Sequence, residues 1–164
     1  MEKELKRKLL DYIRENNPDV LFQLEYEDGI TLYLSQKLNG LTDLMKQLKD
    51  EGQPDYLIEM LCMEQMTADL RPSKYHYICE ILAEEFETVY TQLIADGLLR
   101  AEIINMINYC LPVFDDLRFS VETEDNRFLH YAITGVVKEY LQSNSENEKV
   151  SNGLQQSAKT QGQY

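Results

Sequence analysis

Apolar residues recur at three- and four-residue steps along most of this chain, and that spacing predicts amphipathic α-helices. The clearest example lies at residues 75–93, where we expect one long helix. Its apolar positions keep helical spacing over roughly five turns and are Tyr75, Ile78, Cys79, Leu82, Phe86, Val89, Tyr90 and Leu93. Similar stripes predict helices over residues 4–16, 56–70, 99–111 and 128–141.

Breaking residues place the ends of the first helices. The residue before a proline avoids the α conformation, so the first helix should stop at Asn17, directly before Pro18. Gly52 suits the left-handed conformation that ends many helices, and Pro54 suits a first helical position. The segment between them is therefore predicted to join two helices.

Further along the chain, Ser73 is the expected N-cap of the helix that follows it. The pair Asp96-Gly97 is a turn signal that should end that helix. Pro112 lies inside an apolar helical pattern. Since proline lacks an amide hydrogen and clashes with the preceding turn, it should kink or end the helix there.

Two segments allow more than one interpretation. Residues 18–29 contain a short apolar run that fits either a short strand or a buried turn. A leucine-rich stripe follows as far as residue 48, with Gly40 near its middle. Because glycine weakens a helix interior by about 1 kcal/mol relative to alanine, we expect either one interrupted helix or two shorter ones.

These patterns predict an all-α protein, a compact irregular bundle of five to six helices. Residues 1–142 form its single helical domain. Residues 143–164 are rich in Ser, Asn, Gln, Glu and Lys, with Val150 and Leu154 as the only sizeable aliphatic side chains. Such a segment buries too little apolar area to offset its ordering entropy, so it is predicted to be a polar disordered tail. No repeat at a solenoid period is visible.

Composition limits which cellular compartments and which classes of partner fit this chain. The formal net charge is −13 over 164 residues, and such a charge disfavours direct nucleic-acid binding because it repels phosphate backbones. No apolar run is long enough for a membrane span, and charged residues interrupt the N-terminal segment where a signal peptide would be apolar. Three widely spaced cysteines fit buried reduced thiols. We therefore predict a cytoplasmic protein that does not contact membranes.

Six stretches follow one another along the chain: LDYIRENNP at 10–18, EGQP at 51–54, Ser73-Lys74-Tyr75, Glu85-Phe86, Leu111-Pro112 and LHYAITG at 129–135. Together they resemble the domain of unknown function 1896 family, whose small helical proteins are typical of conjugative transposons in anaerobic gut and oral bacteria. The resemblance covers about residues 5–142 and rests on order and spacing. It implies an all-α fold and a mobile-element setting, and it carries over no activity and no functional residues. Between Pro18 and Pro54 this chain is longer and more leucine-rich than the family pattern.

No set of residues has the spacing of a known catalytic, cofactor or metal site, so the sequence predicts no catalytic residue, no cofactor and no bound metal. His76 and His130 are the only histidines, and neither lies in a Glu-x-x-His or His-Glu-x-x-His motif. His76 and Glu80 are four residues apart and could share a helical face, which keeps a carboxylate/His metal protein as an alternative. The cysteines lack a histidine at any local catalytic spacing.

Two compositional features point toward partners. No Lys or Arg occurs between Tyr75 and Leu99, and a possible partner-facing acidic stripe, composed of Glu80, Glu84 and Glu87, is predicted there. An ordinary solvated face is the commoner explanation for such a stripe. Eleven tyrosines and six methionines, among them Met60, Met63 and Met66, fit either an adaptable interface or the core of a protein that has no tryptophan.

The function predicted from these observations is a non-enzymatic helical accessory or protein-interaction module associated with a mobile genetic element. Its partner would be an unidentified protein, with self-association included. The first alternative is an acidic DNA mimic or anti-restriction inhibitor, in which the acidic stripe imitates phosphates. The second is the carboxylate/His metal protein.

Overall fold

The computed structural model describes the backbone of residues 1–161 and the side chains of residues 1–155. Over that range the chain is all-α, as predicted, but the expected five to six helices were too few. The described residues form nine α-helices and one 3₁₀ turn, Ala68–Leu70. The helices are α1 (Glu2–Asn16), α2 (Pro18–Tyr26), α3 (Ile30–Asn39), α4 (Thr42–Asp50), α5 (Asp55–Thr67), α6 (Lys74–Glu85), α7 (Glu87–Ala95), α8 (Leu99–Asp116) and α9 (Arg127–Gln161).

The chain divides into two compact units, Met1–Ile104 and Asn105–Tyr164, and the boundary between them falls inside α8. In unit 1, α1 packs against α2, α3 and α5. The α1 side chains Leu5, Leu9 and Ile13 are fully buried. They belong to an apolar cluster that also includes Ile58, Cys62 and Met66 of α5. The single domain predicted over residues 1–142 stays a prediction.

In unit 2 the buried side chains lie at helical spacing on the end of α8 and the beginning of α9. Phe114 is the largest of them, and its ring is tilted against Phe119 with centroids 4.8 Å apart. Asn126 caps α9, since its Oδ1 accepts the amide hydrogens of Phe128 at 2.8 Å and Leu129 at 3.3 Å. The buried positions are Met106, Ile107, Cys110, Phe114, Leu129, Ile133 and Val137.

Two helix pairs are separated by a single non-helical residue. Asn17 separates α1 from α2 with φ −134° and ψ 55°, and Phe86 separates α6 from α7 with φ −135° and ψ 49°. The single long helix predicted over residues 75–93 is therefore wrong, because the chain turns at Phe86. Residues 18–26, which could have been a strand or a turn, form a helix.

Four helices end in the same hydrogen-bonding motif, and two of them lack the expected glycine. Gly52 and Gly97 adopt positive φ where the sequence predicted helix ends. Asp28 and Arg118 adopt positive φ, 53° and 52°, at the ends of α2 and α8. At α8, Phe119 N–H bonds to the Phe114 carbonyl at 2.9 Å, which is the Schellman pattern. A residue with a Cβ atom is strained in that conformation.

We therefore expect Arg118→Gly to raise the free energy of unfolding by about 1 kcal/mol, because glycine carries no such penalty. Urea denaturation of the full chain measures the change. Glu139→Gly, an exposed position inside α9, is the matched control and should lower stability by about 1 kcal/mol. Destabilisation by Arg118→Gly would contradict the assigned helix end.

Helix α8 continues through Pro112 to Asp116, so Pro112 does not end the helix; the other predicted outcome, a kink, stays a prediction. Proline removes the amide that would bond to the Asn108 carbonyl. Both residues are exposed, so solvent can satisfy that carbonyl. The leucine-rich stripe after residue 29 does break, and it forms two shorter helices, α3 and α4, on either side of Gly40.

The structure contains an internal repeat that the sequence analysis missed. Asn17 and Phe86 are 69 residues apart, and so are the starts of α2 and α7 and those of α3 and α8. The positive-φ residues Asp28 and Gly97 keep the same interval. Buried positions also correspond, and the pairs are Leu9 with Ile78, Ile13 with Leu82, Leu34 with Ile103, Leu38 with Ile107, Leu41 with Cys110 and Met45 with Phe114. In the second copy, α8 replaces the broken pair α3 and α4.

The predicted disordered tail, residues 143–164, is helical as far as Gln161, and residues 162–164 lie outside the described residues. Every side chain from Ser145 to Gln155 is exposed. This part of α9 therefore has backbone hydrogen bonds but no buried apolar surface, and isolated helices of this kind are marginal in water. Its disorder in solution stays a prediction.

Candidate interaction surface

The predicted acidic stripe spans the break between α6 and α7. Glu80 and Glu84 lie on α6, and Glu87 is the first residue of α7. All three are exposed. They do not lie along one continuous helix as predicted, because Phe86 interrupts it. At the first position of α7, the carboxylate of Glu87 is favoured by the positive end of that helix dipole.

Helix α7 is apolar yet has no buried residue. Its apolar side chains lie at positions one, three and four residues apart, so they share one broad side of the helix. Ile94 is 51% exposed, and Leu98, three residues beyond the end of the helix, is 50% exposed. The other three members are half-buried. We name the set the α7 face, and it consists of Val89, Tyr90, Leu93, Ile94 and Leu98.

The internal repeat shows how unusual this exposure is. Helix α2 is the counterpart of α7 in the first copy, and it buries Pro18 and Leu21. The corresponding residues of α7 are Glu87, which is exposed, and Tyr90, which is half-buried. In the first copy, Asn17 Nδ2 also donates to the Leu70 carbonyl at 3.0 Å and ties the start of α2 to the segment after α5. Helix α7 is thus the less covered of two equivalent helices.

The charges near the α7 face in sequence are mostly negative, with the exposed Arg100, two residues after Leu98, as a basic exception. Between Tyr75 and Leu99 there is no Lys or Arg, whereas five acidic residues occur in that stretch. The five are Glu80, Glu84, Glu85, Glu87 and Asp96. Near the end of α7, Gln92 Nε2 donates to both carboxylate oxygens of Asp96 at 3.0 Å, which fixes the position of that charge. An apolar surface with acidic neighbours is complementary to a basic, apolar segment.

The side chains of Tyr90 and Cys79 interact electrostatically, which connects the α7 face to α6. Burial raises the pKa of Cys79 and of Cys62, and it raises the pKa of Cys110 to about 12. A nucleophilic cysteine needs the opposite shift, toward the thiolate. The three thiols thus suit packing, as the sequence predicted.

His76 and Ser73 stabilise the start of α6. Ser73 Oγ accepts the His76 amide hydrogen at 3.0 Å, which confirms the predicted N-cap, and it also donates to the Asn16 carbonyl. The His76 ring atom Nε2 lies 3.2 Å from Asn16 Oδ1. That hydrogen bond directs the ring toward α1 rather than toward a carboxylate. The metal-protein alternative, which relied on His76 with Glu80, gains no support from this geometry.

Among the tyrosines and methionines, some side chains are buried and others are exposed. Met66 is buried at 2% exposure, whereas Met60 is 55% exposed, so the three α5 methionines do not form one surface. Tyr26 and Tyr56 are also strongly exposed.

A cavity of about 360 Å³ opens in unit 1. It is lined by Leu44, Leu61, Glu64, Gln65, Ala68 and Arg71. The Arg71 guanidinium donates to the Thr67 and Glu64 carbonyls and so supports the end of α5.

Comparisons with known proteins return no family model, no curated protein and no solved structure that matches this chain. The resemblance to the domain of unknown function 1896 family therefore stays a prediction. Among the described helices, none combines the length and the apolar character that crossing a membrane requires. The α7 face is the feature of this chain that most directly suggests a function.

Proposed function

We propose that this chain is a non-enzymatic protein-interaction module that binds a partner protein through the α7 face. The observation that carries the proposal is an apolar helix without a buried residue, whose counterpart α2 buries Pro18 and Leu21. Each Å² of apolar surface that is removed from water contributes about 25 cal/mol of favourable free energy. A partner that covers this face therefore gains affinity. The mobile-element setting belongs to the proposal through the family resemblance alone.

Affinity capture from cells of the organism that encodes the chain tests the proposal. Three forms of the full chain serve as bait: wild type, Ile94→Ser/Leu98→Ser, and the control Phe22→Ser/Leu32→Ser. The control removes two comparably exposed apolar side chains from α2 and α3. We expect at least one protein, identified by mass spectrometry, to be retained by wild type and control and lost from the α7 variant.

Circular dichroism first establishes that all three forms are equally helical. The retained protein is then purified, and its affinity for the three forms is measured directly. Identical sets of captured proteins on all three baits would overturn the proposal. So would a purified partner that binds the α7 variant as tightly as wild type.

A DNA-mimic inhibitor is the second candidate, and the exposure of Glu80, Glu84 and Glu87 favours it. Proteins that bind DNA are attracted to negative charge, so an exposed acidic stripe can compete for them. The test is digestion of plasmid DNA by a restriction endonuclease. This candidate expects wild type to slow digestion and the Glu80→Gln/Glu84→Gln/Glu87→Gln variant to lose that effect. Equal digestion with and without wild type would contradict it.

A further inference from the structure

We propose that the segment bound by the α7 face is a basic amphipathic α-helix of another protein, with apolar side chains on one side and Lys or Arg along its edges. This inference rests on the proposed function and specifies the chemistry of its partner. Three observations carry it: the geometry of the face, the charge around it, and the pairing of the chain's own basic helix.

Geometry favours a helix over an extended strand. The described residues contain no β-strand, so unit 1 offers no sheet edge to which a strand could add. The α7 face instead presents side chains from successive turns of one helix, and a partner helix can pack against such ridges. With nine residues, α7 is about 13 Å long. A partner helix of roughly three turns matches that length.

Charge selects a basic partner. The acidic residues near the α7 face in sequence are Glu84, Glu85, Glu87, Asp96 and Glu102, and they outnumber the basic Arg100 that lies two residues after Leu98. A second copy docked face to face would bring like charges together, which is unfavourable. A nucleic acid or an anionic membrane would meet the same repulsion. Lysine or arginine beside the apolar stripe of a partner helix would instead meet carboxylates.

The chain's own basic helix, α1, is not the basic helix that binds the α7 face. Helix α1 buries its apolar side in unit 1, and most of its basic side chains bond within that unit. Lys6 Nζ donates to Ser35 Oγ at 3.1 Å, Arg7 pairs with Glu4 and Asp11, and Lys8 pairs with Glu59. The complementary helix therefore comes from another protein.

Fluorescence anisotropy with three labelled synthetic peptides tests the inference on the full-length protein. The first peptide is an eighteen-residue amphipathic helix of leucine and lysine. The second keeps the leucines and replaces every lysine by glutamate. The third has the composition of the first in an order without an apolar stripe. We expect the first peptide to bind at least roughly 10-fold more tightly than either of the others, because it alone offers both the stripe and the charge.

Variants assign that binding to the α7 face. Ile94→Ser/Leu98→Ser should lower the affinity for the first peptide by roughly 10-fold or more, because apolar contact is lost. Glu84→Gln/Glu87→Gln should weaken it by about 3- to 10-fold and reduce its salt dependence. The matched control, Glu15→Gln/Glu25→Gln, changes net charge equally at exposed positions on α1 and α2 and should leave binding nearly unchanged.

The outcomes separate this inference from the proposed function. The inference would be overturned if the first and third peptides bound equally tightly. It would also be overturned if the Glu84/Glu87 variant and its control lost the same amount of affinity. Either result would show only a general attraction of basic peptides to an acidic protein. Absence of peptide binding, together with α7-dependent capture of a cellular protein, would also overturn the inference while the proposed function stands. If wild type and the α7 variant capture the same cellular proteins, the proposed function itself is contradicted.

Discussion

Replacing Phe114 by alanine is expected to lower the free energy of unfolding by about 3–5 kcal/mol, the largest loss we expect from a single substitution in unit 2. Phe114 is 1% exposed, and its ring packs on Phe119. Truncation removes the buried ring and leaves a cavity that rigid neighbours fill only in part. Urea denaturation of the full chain, followed by circular dichroism, measures the loss.

The matched control for this substitution is Phe128→Ala. Phe128 is 69% exposed, so the same chemical change there should cost less than about 1 kcal/mol. Equal losses at the two positions would show that Phe114 is not part of a packed core. The assignment of the buried residues in unit 2 would then be wrong.

Leu9→Ala is expected to cost about 2–5 kcal/mol, because Leu9 is fully buried on α1, the helix that packs against α2, α3 and α5. The control is Leu32→Ala on α3, where the side chain is 63% exposed and the loss should stay below about 1 kcal/mol. Thermal unfolding monitored by calorimetry gives both values. A small loss at Leu9 would contradict the central position of α1 in unit 1.

These two core variants also test the predicted single domain over residues 1–142. If that domain unfolds as one cooperative unit, Leu9→Ala and Phe114→Ala lower the same calorimetric transition. If units 1 and 2 unfold separately, each variant shifts its own transition and leaves the other in place. The second result would replace the single-domain prediction with two independently folding units.

The helix ends that carry a local chemical signal were predictable from sequence. Gly52 and Gly97 occupy the left-handed conformation that glycine favours, and Ser73 caps α6 through its hydroxyl. The break at Phe86 carries no such signal, because no proline or glycine is nearby. Its backbone matches that of Asn17, where Pro18 marks the same break. The break at Asn17 could therefore be predicted from sequence, whereas the equivalent break at Phe86 could not.

The internal repeat escaped detection because burial, rather than residue identity, is what the two copies share. Corresponding core positions pair different apolar residues, such as Leu9 with Ile78 and Met45 with Phe114. A conspicuous identical pair, Asp28-Gly29 and Asp96-Gly97, is misleading, since the left-handed residue is Asp28 in the first copy and Gly97 in the second. Aligning these pairs by identity shifts the register by one residue.

Sequence predicted the acidic stripe but not the α7 face. The apolar spacing of Val89, Tyr90 and Leu93 is what a buried helix face would show, so periodicity alone assigns these residues to the core. Whether a neighbouring element covers them depends on tertiary packing. The comparison with α2, which the repeat makes possible, is what identifies α7 as the helix of the pair that has no buried residue.

Site-specific photo-crosslinking inside cells that naturally encode the chain tests most directly whether the α7 face binds a partner. A benzophenone side chain is placed at position 94 in one form and at position 32 in the other, both of which are strongly exposed. We predict that irradiation yields a discrete covalent adduct with another protein from position 94 and none from position 32. Adducts of equal yield from both positions, or none from position 94, would contradict the proposed function.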